Sequence, residues 1–501
     1  MKEMNQMKSN DPVLTPVPTV KKLRASLTAS ESSGTRRLIA SLFDDNTFSE
    51  LGVYTMRRFS EYETGEALFP EGVICGYGAV DGRLVYAFGQ DITRMDGAMD
   101  EKHAKKIVEL YDMALGNGAP VVGVFNSAGA DVYEGVSALA AYGRIMRKVA
   151  EASGRIPQIA LVTGPCTGSS AMLASMFDFT VTVQGVPFYV HDKRGSEGNV
   201  QTSTLHAKDA SDAARDARVL LAYLPSRASD SILQTATADS INRELGKVDF
   251  EGDLSRLVRA LADNGVSQEI TRDFCPEIMT AFAFLGGIRC GVLGNRFVGE
   301  GHKIDAAAAR KAARFISFCD AFSLPVITFV DSGGFADVGA RGVTSYASDL
   351  ASLAFAYAGA SVPKVTVILG SAIGGAFTVL GSKAMGADVV YALETAEISA
   401  LPTEAAVAFA WNDRVVLAEK AKLPTDRVLE DTRNLPPIDT NRAELEEEWR
   451  RSLASPVAAA CRGEIDDIIT LGEMRPKLLS SLYMLAGKGV CGARRHPILP
   501  L

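Results

Sequence analysis

The sequence predicts an α/β protein made of two tandem copies of one fold. Three observations carry this. Apolar runs such as VVGVF, QIALVT, VITFV and KVTVIL are nearly continuous, as in strands covered on both faces. They alternate with helical patterns, which implies parallel strands joined by right-handed crossovers. The pattern is also written twice. With Pro120 set over Pro325, APVVGVFNSAGA lies over LPVITFVDSGGF at an offset of 325 − 120 = 205. With Pro157 over Pro363, IPQIALVTGPCTGSSA lies over VPKVTVILGSAIGGAF at an offset of 363 − 157 = 206. A period this long is no solenoid repeat, which runs roughly 20–50 residues. It suits two domains of one fold.

Residues 1–33 are polar and rich in Pro and Ser, which predicts an N-terminal arm with a short helix near Lys21–Ala29. A globular pattern begins near Arg36. The expected division is a first domain over 34–245 and a second over 246–501, joined through a linker around Thr235–Asp263. Upstream of the aligned prolines, MDEKHAKKIVELYDMALGNGAP lies over KIDAAAARKAARFISFCDAFSLP, both with apolar residues at i, i+3 and i+4, the helical period. Downstream, FDFTVTVQ matches GADVVYAL. The stretch Ala443–Leu501 reads as helical before a basic tail.

The chain has 501 residues, enough for more than one core. Hydrophobic residues make up 47% and charged residues 22%, an ordinary globular balance. The net charge of −8 carries no nucleic-acid footprint. Seven scattered cysteines include no C-x-x-C pair, which suits a reducing compartment and speaks against a disulfide frame or a zinc ribbon. The N-terminus has no apolar signal core, and no run approaches the roughly 18–20 apolar residues of a membrane span. The expectation is a cytoplasmic protein with no metal site.

Each half places two glycine-bearing loops after successive strands. The first is SAGA (Ser127–Ala130) or SGGF (Ser332–Phe335), and the second is CTGSS (Cys166–Ser170) or AIGGA (Ala372–Ala376). Where a strand ends and a helix begins, the first helical N–H groups have no intrahelical partner and face outward at the positive end of the dipole. Small residues let a ligand oxygen approach them. Two such donors on one oxygen make an oxyanion hole, worth roughly 3–4 kcal/mol per donor in other enzymes. A glycine at a βα turn also serves tight packing alone. No G-x-G-x-x-G with a following acid, P-loop or G-x-S-x-G elbow is present. The repetition points to two carbonyl oxygens polarised at once.

The residues resemble the carboxyltransferase subunits of biotin-dependent acyl-CoA carboxylases, such as the propionyl-CoA carboxylase β subunit, and the α subunit of methylmalonyl-CoA decarboxylase. The resemblance runs from about Arg36 to the end. It rests on GVICGYGAVDGRLVYAFGQD (72–91), HAKKIVELYDMALGNGAPVVG (103–123), SAGADVYEG (127–135), PQIALVTGPCTG (157–168), LLAYLPS (220–226), FISFCDAFSLPVITFVDSGGF (315–335), ASVPKVTVI (360–368), GGAF (374–377), AEIS (396–399) and RRHPILPL.

The resemblance implies two crotonase-like domains, the CoA thioester on the first and biotin on the second. Carried over by position, Gly168 and Ser169 would give amides to the thioester carbonyl, and Gly375 and Ala376 to the biotin ureido carbonyl. Gly129 and Ala130 would border the first site. Gly334, Phe335, Gly374, Phe377 and Thr378 would border the second. Arg58 matches an arginine of the family and would serve the CoA phosphates, with Lys105 and Lys106 as alternatives.

The implied reaction moves a carboxyl group between carboxybiotin and the α-carbon of an acyl-CoA, in either direction, with biotin supplying the base. The implied partners are a biotin carboxyl carrier protein and a biotin carboxylase or membrane decarboxylase subunit, because this chain has no Met-Lys-Met biotinylation site. The implied assembly is a hexamer, a dimer of trimers, or a hetero-oligomer with a sibling subunit. Two other readings stay open: a non-catalytic CoA-binding structural paralogue, and a biotin-independent crotonase-type acyl-CoA enzyme.

Several positions depart from the family. SAGADVYEG replaces SGGAR-x-QEG, so Ala128 stands for a glycine and Asp131 for the arginine; GPCTGSSA replaces GPCAGGA; Thr378 replaces an aspartate; and Tyr346 or a neighbour stands where the family has histidine. The segment after FYVHDKRGSEGN is also shortened. Among single residues, His103 reads as a helix-start or packing residue and Cys166 as a small apolar filler. Lys106 reads as part of a solvated helix face, and ELEEEWRR as an exposed one.

Overall fold

The computed structural model describes residues 17–28, 33–56, 71–191, 199–230, 237, 239–246, 248, 253–296, 303–336, 346–411 and 442–488. Two eight-stranded sheets form, one from each half of the chain. The first contains β1 (Ser49–Leu51), β2 (Val73–Val80), β3 (Arg83–Gln90), β4 (Val121–Ser127), β5 (Gln158–Thr167), β6 (Phe179–Val183), β7 (Phe188–Tyr189) and β8 (Leu205–Ala207). The second contains β9 (Ser267–Ile270), β10 (Ile278–Leu285), β11 (Ile288–Asn295), β12 (Val326–Ser332), β13 (Lys364–Ile373), β14 (Val389–Leu393), β15 (Glu397–Ser399) and β16 (Asp467–Ile469).

The duplication is complete at the level of strands. The first sheet runs β1-β2-β3-β4-β5-β6-β8 with β7 on β5, and the second runs β9-β10-β11-β12-β13-β14-β16 with β15 on β13. In each, the first three strands pair antiparallel and the rest parallel. Each sheet also has a register irregularity at the same place, between Phe125 and Ser127 and between Val330 and Ser332.

The helices of the first half are α1 (Val17–Thr28), α2 (Gly34–Leu42), α3 (Glu101–Asn117), α4 (Val136–Ala152), α5 (Ser169–Ser175) and α6 (Ala210–Tyr223). Those of the second are α7 (Leu254–Leu261), α8 (Ala306–Ala321), α9 (Tyr346–Gly359), α10 (Gly374–Val379), α11 (Thr403–Ala410), α12 (Arg442–Trp449), α13 (Pro456–Cys461) and α14 (Met474–Leu485). The crossovers start where the chemistry dictates. Asp100 caps α3 by accepting from the His103 amide at 2.7 Å, and Asp305 caps α8 by accepting from Ala308 at 2.7 Å. These caps are themselves a repeat pair, at 305 − 100 = 205.

The expectation of a wholly helical C-terminal stretch is corrected. Residues 467–469 form β16, which pairs parallel with β14 and supplies the sheet edge that β8 supplies in the first half. DII is a short β-branched run, and the need to complete the edge decides its state. Residues 489–501 lie outside the described residues.

One hydrophobic core belongs to the first half and one to the second, while the largest is shared between them. Across the shared layer, Phe179 lies 4.8 Å from Phe318 and 5.9 Å from Phe282. The Thr271 amide donates to Thr204 O at 2.8 Å, joining the edges of the two sheets. Arg475, fully buried on α14, donates to Leu261 O, Ser240 O, Ile241 O and Asp263. It thereby draws residues 239–245 onto the second half, and Leu245 packs in that half's core.

Candidate active site

The first glycine loops are braced internally. Ser127 Oγ accepts from the Gly129 amide at 3.0 Å, and Ser332 Oγ accepts from the Gly334 amide at 3.3 Å. Gly129 (φ 126°) and Gly334 (φ 119°) hold backbone conformations that side chains rarely adopt. Each loop is tied to the start of a crossover helix. Met99 donates to Gly129 O at 2.8 Å and Ile304 to Gly334 O at 3.0 Å, with bridges Met99–Ala130 and Ile304–Phe335. Tyr346 has its own place in the second half: its hydroxyl donates to Ile304 O at 3.0 Å and Ala336 O at 2.9 Å.

The second loops present the amides. Gly168 (φ 59°) and Gly374 (φ 61°) are the structural counterparts, each at the strand-to-helix turn. The Gly168 amide is taken: it donates to Tyr189 O at 3.0 Å. The structure thus gives the expected Gly168 donor a partner within the chain. The amides of that turn that lack intrahelical acceptors include those of Ser169 and Ser170, first residues of α5. Their counterparts by the 206 offset are Gly375 and Ala376 at the start of α10. The offset, applied residue by residue, already carries this register. Ser169 is half-buried and Ser170 buried, whereas Gly375 is exposed and Ala376 buried.

Two neighbours explain why position 169 tolerates a side chain. A Cβ on Gly375 would stand 2.4 Å from the ring of Phe335. In the first half the counterpart of Phe335 is Ala130, at 335 − 130 = 205, so a serine fits at 169. Behind the first turn, the buried Tyr142 hydroxyl faces those of Ser127 and Ser170 without reaching hydrogen-bond geometry to either. Burial, outweighing these hydroxyls, pushes its phenol up to about 12. In the second half Ala376 and Ala372 stand where the first has Ser170 and Cys166. This polar backing has no motif signature.

Phe377 is half-buried against the shared core, and Thr378 is exposed, its carbonyl accepting from Ser382 Oγ at 3.0 Å. Lys105 points to solvent and stands 3.8 Å from Glu109. Lys106 does not belong to that solvated face: it is buried, and its Nζ donates to Val73 O at 2.6 Å. Its counterpart Lys311 is likewise buried, donating to the carbonyls of Thr271, Phe274, Cys275 and Ile278 at 2.7–3.2 Å. Arg58 lies outside the described residues. His103 is buried with Nδ1 3.5 Å from Glu71, a packing position. Burial pushes the Cys166 thiol up to about 12, as suits a filler and not a nucleophile. Asp131 caps a 3₁₀ turn by accepting from Tyr133. Along ELEEEWRR only Leu445 is fully buried. Among the described residues no helix is long and apolar enough to cross a membrane.

Comparison with known proteins identifies this arrangement. The model of the carboxyl transferase domain matches residues 32–191 and 197–498. The chain belongs to the carboxyl transferase family. The carboxyltransferase is 34% identical over 499 residues to the propionyl-CoA carboxylase carboxyltransferase subunit of Haloferax mediterranei, covering 93% of each chain. It is 33% identical over 497 residues to the methylmalonyl-CoA decarboxylase α subunit of Veillonella parvula, covering 93% of this chain and 92% of that one. A crystal structure of the transcarboxylase 12S hexamer, with methylmalonyl-coenzyme A and methylmalonic acid bound, superposes with a TM-score of 0.85 at 26% identity, over 98% of this chain and 100% of that chain. The fold of the carboxyltransferase is therefore two tandem crotonase-like domains.

Proposed function

We propose that this chain moves a carboxyl group between carboxybiotin, presented by a separate carrier protein, and the α-carbon of a short acyl-CoA of the propionyl-CoA and methylmalonyl-CoA kind. The observation that carries the reading is the duplicated turn. In both halves a parallel strand ends at a positive-φ glycine, and a short helix opens beside a serine-braced loop. Main-chain amides of this kind seek carbonyl oxygens and stabilise charge that develops on them. A thioester and a ureido group each bring one such oxygen. The names and the bound acyl-CoA of the relatives support the same substrate class.

The second turn fits a ureido carbonyl, because its donors are main-chain amides and Gly375 leaves the approach open. Biotin, when bound, would supply the carboxyl carrier and the base for the α-proton. The chain's own part is placement and polarisation. The Ser169 and Ser170 amides would hold the thioester oxygen as the α-carbon becomes nucleophilic, with Gly129 and Ala130 at its side. The Gly375 and Ala376 amides would hold the ureido oxygen, bordered by Gly334, Phe335, Gly374, Phe377 and Thr378. Lys105 would offer a cation to the CoA phosphates.

In the same reading residues 34–245 form the acyl-CoA half, 246–501 the biotin half and 1–33 an arm, with 239–245 packed onto the biotin half. A homohexamer like that of the 12S protein, or a hetero-oligomer with a sibling, would cover exposed apolar side chains of both halves. Val132 is 87% exposed, Val136 79%, Phe355 81% and Phe409 83%. The carrier protein, a biotin carboxylase or membrane decarboxylase subunit, and a cytoplasmic setting belong to this proposal.

The test is decarboxylation of malonyl-CoA, methylmalonyl-CoA and glutaconyl-CoA by the purified chain with free biotin. Biotin-dependent release of CO2, abolished by Gly375→Pro in a protein that still assembles, is expected. CoA binding without turnover would instead mark a structural partner. Turnover indifferent to biotin would mark a biotin-independent enzyme. Either result overturns the proposal.

A further inference from the structure

The seam between the halves holds a cation that the glycine turns do not use. Arg83 opens β3 and Arg289 is the second residue of β11. Both stand at the starting edges of their sheets. Because β3 runs parallel to β4 and β11 to β12, the glycine turns lie at the opposite edges, a strand length of about 25 Å away at ~3.3 Å per residue.

The two arginines border one patch. Arg83 donates through Nη1 to Leu224 O at 2.7 Å and through Nη2 to Leu221 O, closing the C-terminus of α6. Tyr223, the last residue of that helix, has its ring 5.1 Å from Phe284. The Arg289 guanidinium stands 5.8 Å from the same Phe284 ring, on the neighbouring strand.

Their surroundings differ. Arg83 faces two carbonyls at a helix end, which welcomes a cation. Arg289 Nε and Nη1 are shut off from solvent and have no hydrogen-bond acceptor among the described residues. Asp230 is the carboxylate beside both arginines, and its oxygens accept from the Ser226 and Arg227 amides and from Arg227 Nε. Asp81, the other acid near Arg83, pairs with Arg218. A guanidinium remains charged at any working pH, and burying its donors without an acceptor is strongly unfavourable. The ring contact offsets only part of that.

We infer that Arg289, with Arg83 beside it, forms an anion seat at the seam between the halves, built for a phosphate group and separate from the carboxyl-transfer turns. Two neighbouring guanidiniums suit a dianion, and Arg is the side chain whose geometry matches phosphate oxygens. This inference stands whether or not the chain transfers carboxyl groups.

The test titrates the full chain with inorganic phosphate, and separately with glycerol phosphate, at constant ionic strength balanced by sodium chloride. Calorimetry and the thermal midpoint are the readouts. Saturable binding is expected, weakened about ten-fold or more in Arg289→Met and unchanged in Arg256→Met, an exposed arginine on α7. Binding of phosphate alone would assign the free ion, and binding of both would assign the phosphoryl group. Acetate in place of phosphate should give no saturable shift. No saturable binding in the wild type, or equal binding in Arg289→Met, overturns the seat. Should Arg289→Met fail to fold, a wild-type crystal soaked in selenate decides. Density on Arg289 supports the seat, and a carboxylate of a second copy on Arg289 overturns it.

Discussion

Phe335 explains why position 375 is glycine and why its counterpart at 169 need not be. The ring lies where a Cβ on residue 375 would stand, at 2.4 Å, while Ala130 leaves that volume free in the first half. Gly375→Ser should therefore displace Phe335 or the turn, and carboxyl transfer should fall at least ten-fold in a chain of unchanged secondary structure. Phe335→Ala combined with Gly375→Ser should recover activity, because the pair then matches Ala130 and Ser169. A double variant no better than the single one would refute this steric account, and steady-state assays of both read it directly. At this scale the sequence carried the turns, their glycines and the filler role of Cys166. It did not carry which amides are free. That Gly168 donates to Tyr189 depends on β7 returning beside β5, a pairing with no local signature.

At the scale of elements, α3 and α8 show how a repeat becomes a scaffold. Each opens at an aspartate cap, ties its N-terminal flank to a glycine loop, and buries a lysine one turn into the helix. The Lys311 ammonium takes up four carbonyls of the segment Thr271–Ile278, where Thr271 and Cys275 both have positive φ. Those carbonyls would lose their donor in Lys311→Met. Each buried unsatisfied group costs about 1–3 kcal/mol, so a loss of several kcal/mol is expected, read as a lowered denaturant midpoint. The segment should also gain hydrogen exchange at Ile278 and its neighbours. Unaltered exchange there would show that the lysine does not hold the loop. Helical periodicity placed both helices, yet HAKKIVEL read as a solvated face because lysine is rarely buried. Only the strand passing over α3 supplies the Val73 carbonyl that makes burial tolerable.

For the whole molecule, the seam is where pH should act. Asp178 is buried between the halves, accepting from the Gln158 amide at 2.9 Å, while Arg314 of α8 donates to its main-chain oxygen at 2.9 Å. Burial, outweighing the Gln158 amide and the Arg314 charge, pushes its carboxyl up to about 7. The folded chain thus keeps a proton that the unfolded chain releases near pH 4. The stability this contributes is full below that point, falls as pH rises towards 7, and is flat above. Asp178→Asn removes the titration, so wild type should lose stability relative to the variant across that window, by an amount on the order of a few kcal/mol. Chemical denaturation at pH 4.5 and pH 7.5, as conditions of measurement at about the window's ends, compares them. A constant difference would show that Asp178 does not titrate there.

The sequence by itself determined the α/β class, the duplication with its offsets of 205 and 206, the two pairs of glycine loops and the family. Each is written in local order: apolar runs, caps, glycines and the spacing between them. Tertiary structure alone decided that residues 467–469 close a sheet, that Lys106 is buried, that the Gly168 amide donates to Tyr189, and that Arg83 and Arg289 border one aromatic patch. All four depend on contacts between segments distant in the chain. Periodicity reports which face of an element is apolar, not which partner arrives to cover it.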